Sequence, residues 1–134
     1  MAILKSDVMP IRSASDVVLS RQQIRALTQD LAFSLVDQTK MITAASELAR
    51  NAVLYGNGGI MRWEVLADGA RVGLRLTFED QGPGIRDLEL AMTDGWTTGA
   101  GLGKGLPGAK RLVNEFEITS EVGKGTRVAI TRWK

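Results

Sequence analysis

The sequence predicts an α+β fold: a two-layer α/β sandwich on a mostly antiparallel, mixed sheet. Three observations carry this. Ile24, Leu27, Leu31 and Leu35 recur at helical spacing. Asp68-Gly69 and Val122-Gly123-Lys124-Gly125 are hairpin signals between alternating runs, and hairpins join antiparallel neighbours. Val72, Leu74, Leu76 and Phe78 share one strand face, with Gly73, Arg75, Thr77 and Glu79 on the other. Such a sheet has one dry face for helices to cover.

In chain order, Val8–Arg12 and Asp16–Ser20 read as short strands around a Ser-Ala-Ser turn. A helix with one apolar face starts at Arg21 and runs through Leu35, with Asp37-Gln38-Thr39 as a polar break. A second helix covers about Lys40 to Tyr55 and stops at Gly56-Asn57-Gly58-Gly59, which suits a left-handed helix end. Ile60–Ala67 and Arg71–Asp80 are the first hairpin. Arg86–Met92 is a short helix within the glycine-rich segment Gln81–Pro107, and another helix covers about Leu106–Asn114 with Pro107 in its first turn. Glu115–Glu121 and Thr126–Trp133 close the chain as a second hairpin.

The 134 residues suffice for one domain, expected over 1–134, with one core. Histidine and cysteine are both absent, which excludes His-based triads, thiolate metal sites and a phosphohistidine on this chain. The net charge is +2 and no basic run is interleaved with aromatics, so nucleic acid is not an expected partner. No long apolar run or signal-peptide layout is present, so no membrane partner is expected and the expected location is cytoplasmic.

The segment T-G-A-G-L-G-K-G-L-P-G-A at Thr98–Ala109 contains G-x-G-x-x-G at Gly103, Gly105 and Gly108. A dinucleotide fingerprint needs a strand leading into its first glycine. Asp94–Thr98 is no strand, and the chain after it returns as a hairpin with no room for a βαβ unit. A P-loop fails because Gly105 follows Lys104 where Ser or Thr is needed, and Thr98 stands where its first glycine belongs. A linker accounts for the glycines but not for their place before the apolar-faced helix Leu106, Ala109, Leu112, Val113. Glycines opening a helix expose backbone N–H groups, which attract phosphate.

Three further groups bear on this. Glu47 and Asn51 lie four apart on one helix side among Ala44, Ala45, Leu48, Ala49 and Ala52. They read either as a solvated face or as a base beside a hard-cation ligand. Asp80, in Asp-Gln-Gly-Pro-Gly, falls by parity on the dry strand face, so it needs a partner: a backbone N–H in the following turn, or a ligand donor. Gly82 and Gly84 leave room for close approach to the backbone. Thr126 shares inward parity with Val128 and Ile130, which is also ordinary for a strand.

E-x-x-x-N on a helix, D-x-G-x-G after a strand, a glycine-rich lid ending in G-x-G-x-G, and a late Gly-Thr strand occur here in order across Thr39–Val128. This resembles the ATP-binding fold shared by gyrase, MutL, heat-shock chaperones and histidine kinases, the GHKL or Bergerat fold. With no histidine and no room for large partner domains, the chain resembles the bacterial anti-sigma-factor serine kinases. Gly-Leu-Pro-Gly-Ala-Lys-Arg-Leu-Val-Asn-Glu-Phe-Glu-Ile and Ser-Glu-Leu-Ala-Arg-Asn-Ala are most similar to the RsbT-type switch kinases.

The resemblance implies ATP and Mg2+ as cofactors, a histidine-kinase-like ATPase domain, and serine/threonine kinase activity. It makes Asn51 the magnesium ligand and Glu47 the acid that activates the attacking hydroxyl. Asp80 would accept from the adenine amine, with Thr126 assisting through water. Gly82 and Gly84 would form the turn under the nucleotide. Gly101, Leu102, Gly103, Lys104, Gly105 and Leu106 would form the phosphate-facing lid and helix start, and Lys104 occupies a position that varies in the family. The implied partners are STAS-domain substrates of RsbS/RsbR type and a phosphatase of RsbU type in the stress response. The alternatives are an anti-sigma-factor kinase of RsbW/SpoIIAB type and a nucleotide-gated module that sequesters a partner.

Overall fold

The computed structural model describes residues 1–92 and 105–134. The elements are β1 (Ala2–Ile11), α1 (Ala14–Asp30), α2 (Leu35–Leu54), β2 (Gly59–Asp68), β3 (Arg71–Asp80), α3 (Leu88–Ala91), α4 (Leu106–Arg111), β4 (Glu115–Glu121) and β5 (Gly125–Trp133). The strands form one sheet in the order β1-β2-β3-β5-β4. All four pairings are antiparallel, so no parallel pair of the expected mixed sheet occurs among the described residues.

The dry face of β3 lies where parity puts it. Leu74, Leu76 and Phe78 join Ile24, Met41, Leu48, Met61 and Ile130 in one core between sheet and helices. Leu76 is fully buried. Leu76→Ala removes that packing and is expected to cost about 2–5 kcal/mol, read as a lowered urea midpoint with an unchanged slope.

Four expectations about the elements are corrected. Asp16–Ser20 is not a strand but part of α1. The Ser13 hydroxyl accepts from the Asp16 N–H at 3.2 Å, and the Asp16 carboxylate accepts from the Arg12 N–H at 2.9 Å. The Ser13 cap, with Asp16 tying down the residue before it, starts the helix before Arg21, and paired valines there imitate a strand. The polar break also lies earlier than Asp37-Gln38-Thr39. Chain reversal occurs at Leu31–Ser34, where Ala32 takes φ 58° and the Ser34 hydroxyl accepts from the Asp37 N–H at 3.1 Å. Leu35 therefore opens α2 at 77% exposure instead of extending the apolar face of α1.

The first strand is longer than Val8–Arg12, because β1 pairs with β2 from Ala2 to Ile11. It is an edge strand, exposed along most of its length and irregular between Ile3 and Lys5, so it lacks a readable alternation. The other strands, the two hairpins and the short α3 match the reading closely. Helix α4 ends at Arg111, earlier than Asn114, whose side chain instead accepts from the Trp133 N–H at 2.7 Å.

Candidate functional site

Helix α2 crosses the dry face of the sheet with Glu47 and Asn51 one turn apart. Its alanines, Ala44, Ala45, Ala49 and Ala52, are buried, so the helix sits close to its neighbours. Leu48, Asn51 and Ala52 of α2, Phe78 and Asp80 of β3, Ile85 and Leu106, and Thr126 and Val128 of β5 line one narrow cleft. Five of these nine are aliphatic or aromatic walls that the functional reading left out: Leu48, Ala52, Phe78, Ile85 and Val128. Strand parity marks Phe78 and Val128, and i,i+4 spacing marks Leu48 and Ala52. Ile85 carries no such signal.

Asp80 ends β3 at the polar end of the cleft. Its Oδ1 accepts from the Gly82 N–H at 2.9 Å and from the Thr126 N–H at 3.3 Å. The backbone partner expected in the turn is therefore present, joined by one from β5. Burial pushes the Asp80 carboxyl above its ordinary range, and the two backbone N–H groups oppose this. The folded state thus holds the proton more tightly than the unfolded chain. This group's contribution to stability is expected to fall as pH rises from the ordinary carboxylate range through the raised value. Asp80→Asn should flatten that part of a melting-temperature profile.

Gly82 and Gly84 are required by the protein's own backbone. A Cβ at Gly82 would lie 2.6 Å from the Gly56 Cα, and one at Gly84 would lie 2.4 Å from the Glu121 carbonyl oxygen. The turn after β3 is thus clamped between the end of α2 and the β4–β5 hairpin. Neither glycine lines the cleft itself.

At the other end, Gly105 opens α4 in a left-handed conformation, φ 82°. A Cβ built there would lie 2.6 Å from Glu47 Oε2, while Glu47 Oε1 accepts from Arg50 at 2.9 Å. The carboxylate of Glu47 therefore faces the start of α4, with Leu106 inside the cleft beside it. Gly105→Ala is expected to cost roughly 1–2 kcal/mol of backbone strain and to push Glu47 aside. Thermal melting and a transfer assay check the two effects. Gly101, Leu102, Gly103 and Lys104 lie outside the described residues.

Among the expected site residues that the structure describes, Asn51, Asp80, Leu106 and Thr126 line the cleft, and Glu47 and Gly105 meet at its rim. A sequence model described as histidine kinase-, DNA gyrase B-, and HSP90-like ATPase matches residues 36–134. The chain belongs to that ATPase family. Within it, this ATPase is 47% identical over 118 residues to the serine/threonine-protein kinase RsbT of Bacillus subtilis, covering 88% of this chain and 89% of the relative. That similarity makes it a member of the serine/threonine kinases of the family.

The ATPase is also 30% identical over 122 residues to the anti-sigma F factor of Geobacillus sp. strain WCH70, covering 85% of this chain and 82% of the relative. A crystal structure of the RsbU and RsbW domains of a Mycobacterium tuberculosis protein superposes with a TM-score of 0.65 at 21% identity. That match covers 97% of this chain and 33% of the larger one, and it bears on fold alone. Among the described residues, no helix is long and apolar enough to cross a membrane.

Proposed function

We propose that the protein is one kinase domain over residues 1–134 that uses Mg-ATP to phosphorylate serine or threonine on STAS-domain scaffold proteins of RsbS/RsbR type. Once released, it activates a phosphatase of RsbU type in the general stress response. The observation that carries the transfer reading is Glu47: its Oε2 faces the start of α4, one helical turn from Asn51 in the cleft wall. The similarity to RsbT supports partners in an Rsb-type regulatory pathway, and the STAS and RsbU classes are our own extension of it.

In this reading the purine enters between Leu48, Ala52, Phe78, Ile85 and Val128, and its exocyclic amine donates to Asp80, with Thr126 assisting through water. The backbone N–H groups at Gly105 and Leu106 face the phosphates. Glu47 takes the proton from the incoming hydroxyl. The hydroxyl oxygen bonds to the γ-phosphorus, the bond from that phosphorus to the β–γ bridging oxygen breaks, and ADP leaves with that electron pair.

Among the described residues, no cluster of three or more acidic, His or Cys side chains could cage a metal. A single amide oxygen, that of Asn51, beside nucleotide phosphates fits magnesium, which retains water and takes one or two protein ligands. When bound, the ion neutralises phosphate charge.

Incubation with labelled ATP and a STAS-domain protein tests the reading. Label on serine or threonine of the STAS protein is the expected result. Unlabelled STAS protein that still forms an ATP-dependent complex would favour the nucleotide-gated binding module. The anti-sigma F relatives favour a second kinase reading, in which the partner is a sigma factor. ATP-dependent co-elution with a sigma factor on a sizing column would support it over the first.

A further inference from the structure

We infer that Ser120 is a positioning residue for base selection, fixing the Thr126 hydroxyl so that only lone pairs face the cleft. The inference rests on the reading of the Asp80 end of the cleft as the seat of the nucleotide base.

Ser120 lies on β4 directly opposite Thr126 of β5. Three groups surround its half-buried hydroxyl. The Ile85 N–H donates to Ser120 Oγ at 2.7 Å, the Gly125 carbonyl oxygen is at 3.2 Å, and Thr126 Oγ1 is at 2.8 Å. A serine hydroxyl has one hydrogen and two lone pairs. The Ile85 N–H can only donate, so it takes one lone pair. The Gly125 carbonyl can only accept, so it takes the hydrogen. Thr126 must then donate to the remaining lone pair.

This arrangement satisfies all three partners. The reverse one, with Ser120 donating to Thr126, forfeits the bond to Gly125 in a partly enclosed site, where unmade hydrogen bonds are costly. With its proton committed to Ser120, Thr126 offers the cleft only lone pairs. Asp80 beside it also only accepts when ionised.

The polar end of the cleft is therefore built from side chains that accept and do not donate. A purine bearing an amine at ring position 6 satisfies such an end, directly or through one water whose two hydrogens go to Asp80 and Thr126 and which then offers the base only a lone pair. A purine bearing a carbonyl there meets lone pairs with lone pairs. Ser120 also holds Ile85, which lines the cleft, so one hydroxyl sets both a polar and an apolar wall. Removing it frees the Thr126 hydroxyl to turn and donate to a carbonyl.

The test is calorimetric binding of ATP and inosine triphosphate to the full chain. Ser120→Ala, and Ser120→Cys as a variant of similar volume with a weak donor, are expected to lower the ATP-over-inosine-triphosphate preference about tenfold. Ser120→Thr retains a hydroxyl and should retain the preference. In a Thr126→Val background, Ser120→Ala should produce no further change. An unchanged preference overturns the inference, as does equal weakening of both nucleotides or an effect that persists without the Thr126 hydroxyl. Wild-type ATP binding by Asp80→Asn would instead overturn the underlying reading of the cleft, whatever Ser120 does.

Discussion

Asp80→Asn is expected to reduce ATP binding below calorimetric detection while leaving the fold intact. Oδ1 of Asp80 is already taken by the Gly82 and Thr126 N–H groups. An asparagine would keep its carbonyl oxygen there, because only an oxygen can accept from two donors. Its amide nitrogen would then stand where Oδ2 now stands, and a donor would face the donor amine of the base. A buried mismatch of this kind, with the charge-assisted bond lost, costs roughly 3–4 kcal/mol, or a several-hundred-fold loss of affinity. The matched shape and the preserved backbone bonds predict a melting temperature close to the parent's without nucleotide. Normal ATP binding by a folded Asp80→Asn chain would remove Asp80 from the base site.

Glu47→Ala should separate binding from transfer. The side chain is absent from the apolar lining of the cleft, so ATP affinity should stay within a few-fold of the parent. Phosphoryl transfer to a protein acceptor should drop by about 10²–10⁴-fold. The Arg50 pair that the variant breaks is exposed, with side-chain exposures of 45% and 37%. Such surface pairs contribute little to stability, so a folding defect is not expected to masquerade as a catalytic one. Glu47→Gln keeps the volume beside Gly105 and should lose transfer as well. Single-turnover transfer at saturating ATP is the measurement, and an unchanged rate in either variant would remove Glu47 as the base.

Much of the architecture was legible because it depends on short-range periodicity. The alternation through Val72–Phe78, the Asp68-Gly69 turn and the four-residue step from Glu47 to Asn51 are local patterns with one structural solution each. The errors came where local signals compete. Two valines in Asp16–Ser20 outweighed the Ser13 and Asp16 cap, which makes its bonds only once the helix forms. Leu35 continued a helical spacing across a chain reversal that a left-handed Ala32 makes possible. Residues Ala2–Asp7 pair only at the sheet edge, where no burial imposes an alternating sequence.

The sequence alone determined the antiparallel hairpins, the dry sheet face and the amphipathic helices. The order of Glu47, Asn51, Asp80 and Thr126 also pointed to the ATP-binding fold of gyrase, chaperones and histidine kinases, a placement the match over residues 36–134 supports. Only the tertiary structure decided what surrounds those residues. It set Glu47 against Gly105 across 58 residues of chain, put the Thr126 N–H on Asp80, and lodged Ser120 between Ile85, Gly125 and Thr126. It also showed that Gly82 and Gly84 make room for the protein's own backbone. The physical reason is range. Periodicity records which face a residue presents to the core, whereas a hydrogen bond between distant strands depends on sheet order and register, which no short window of sequence contains.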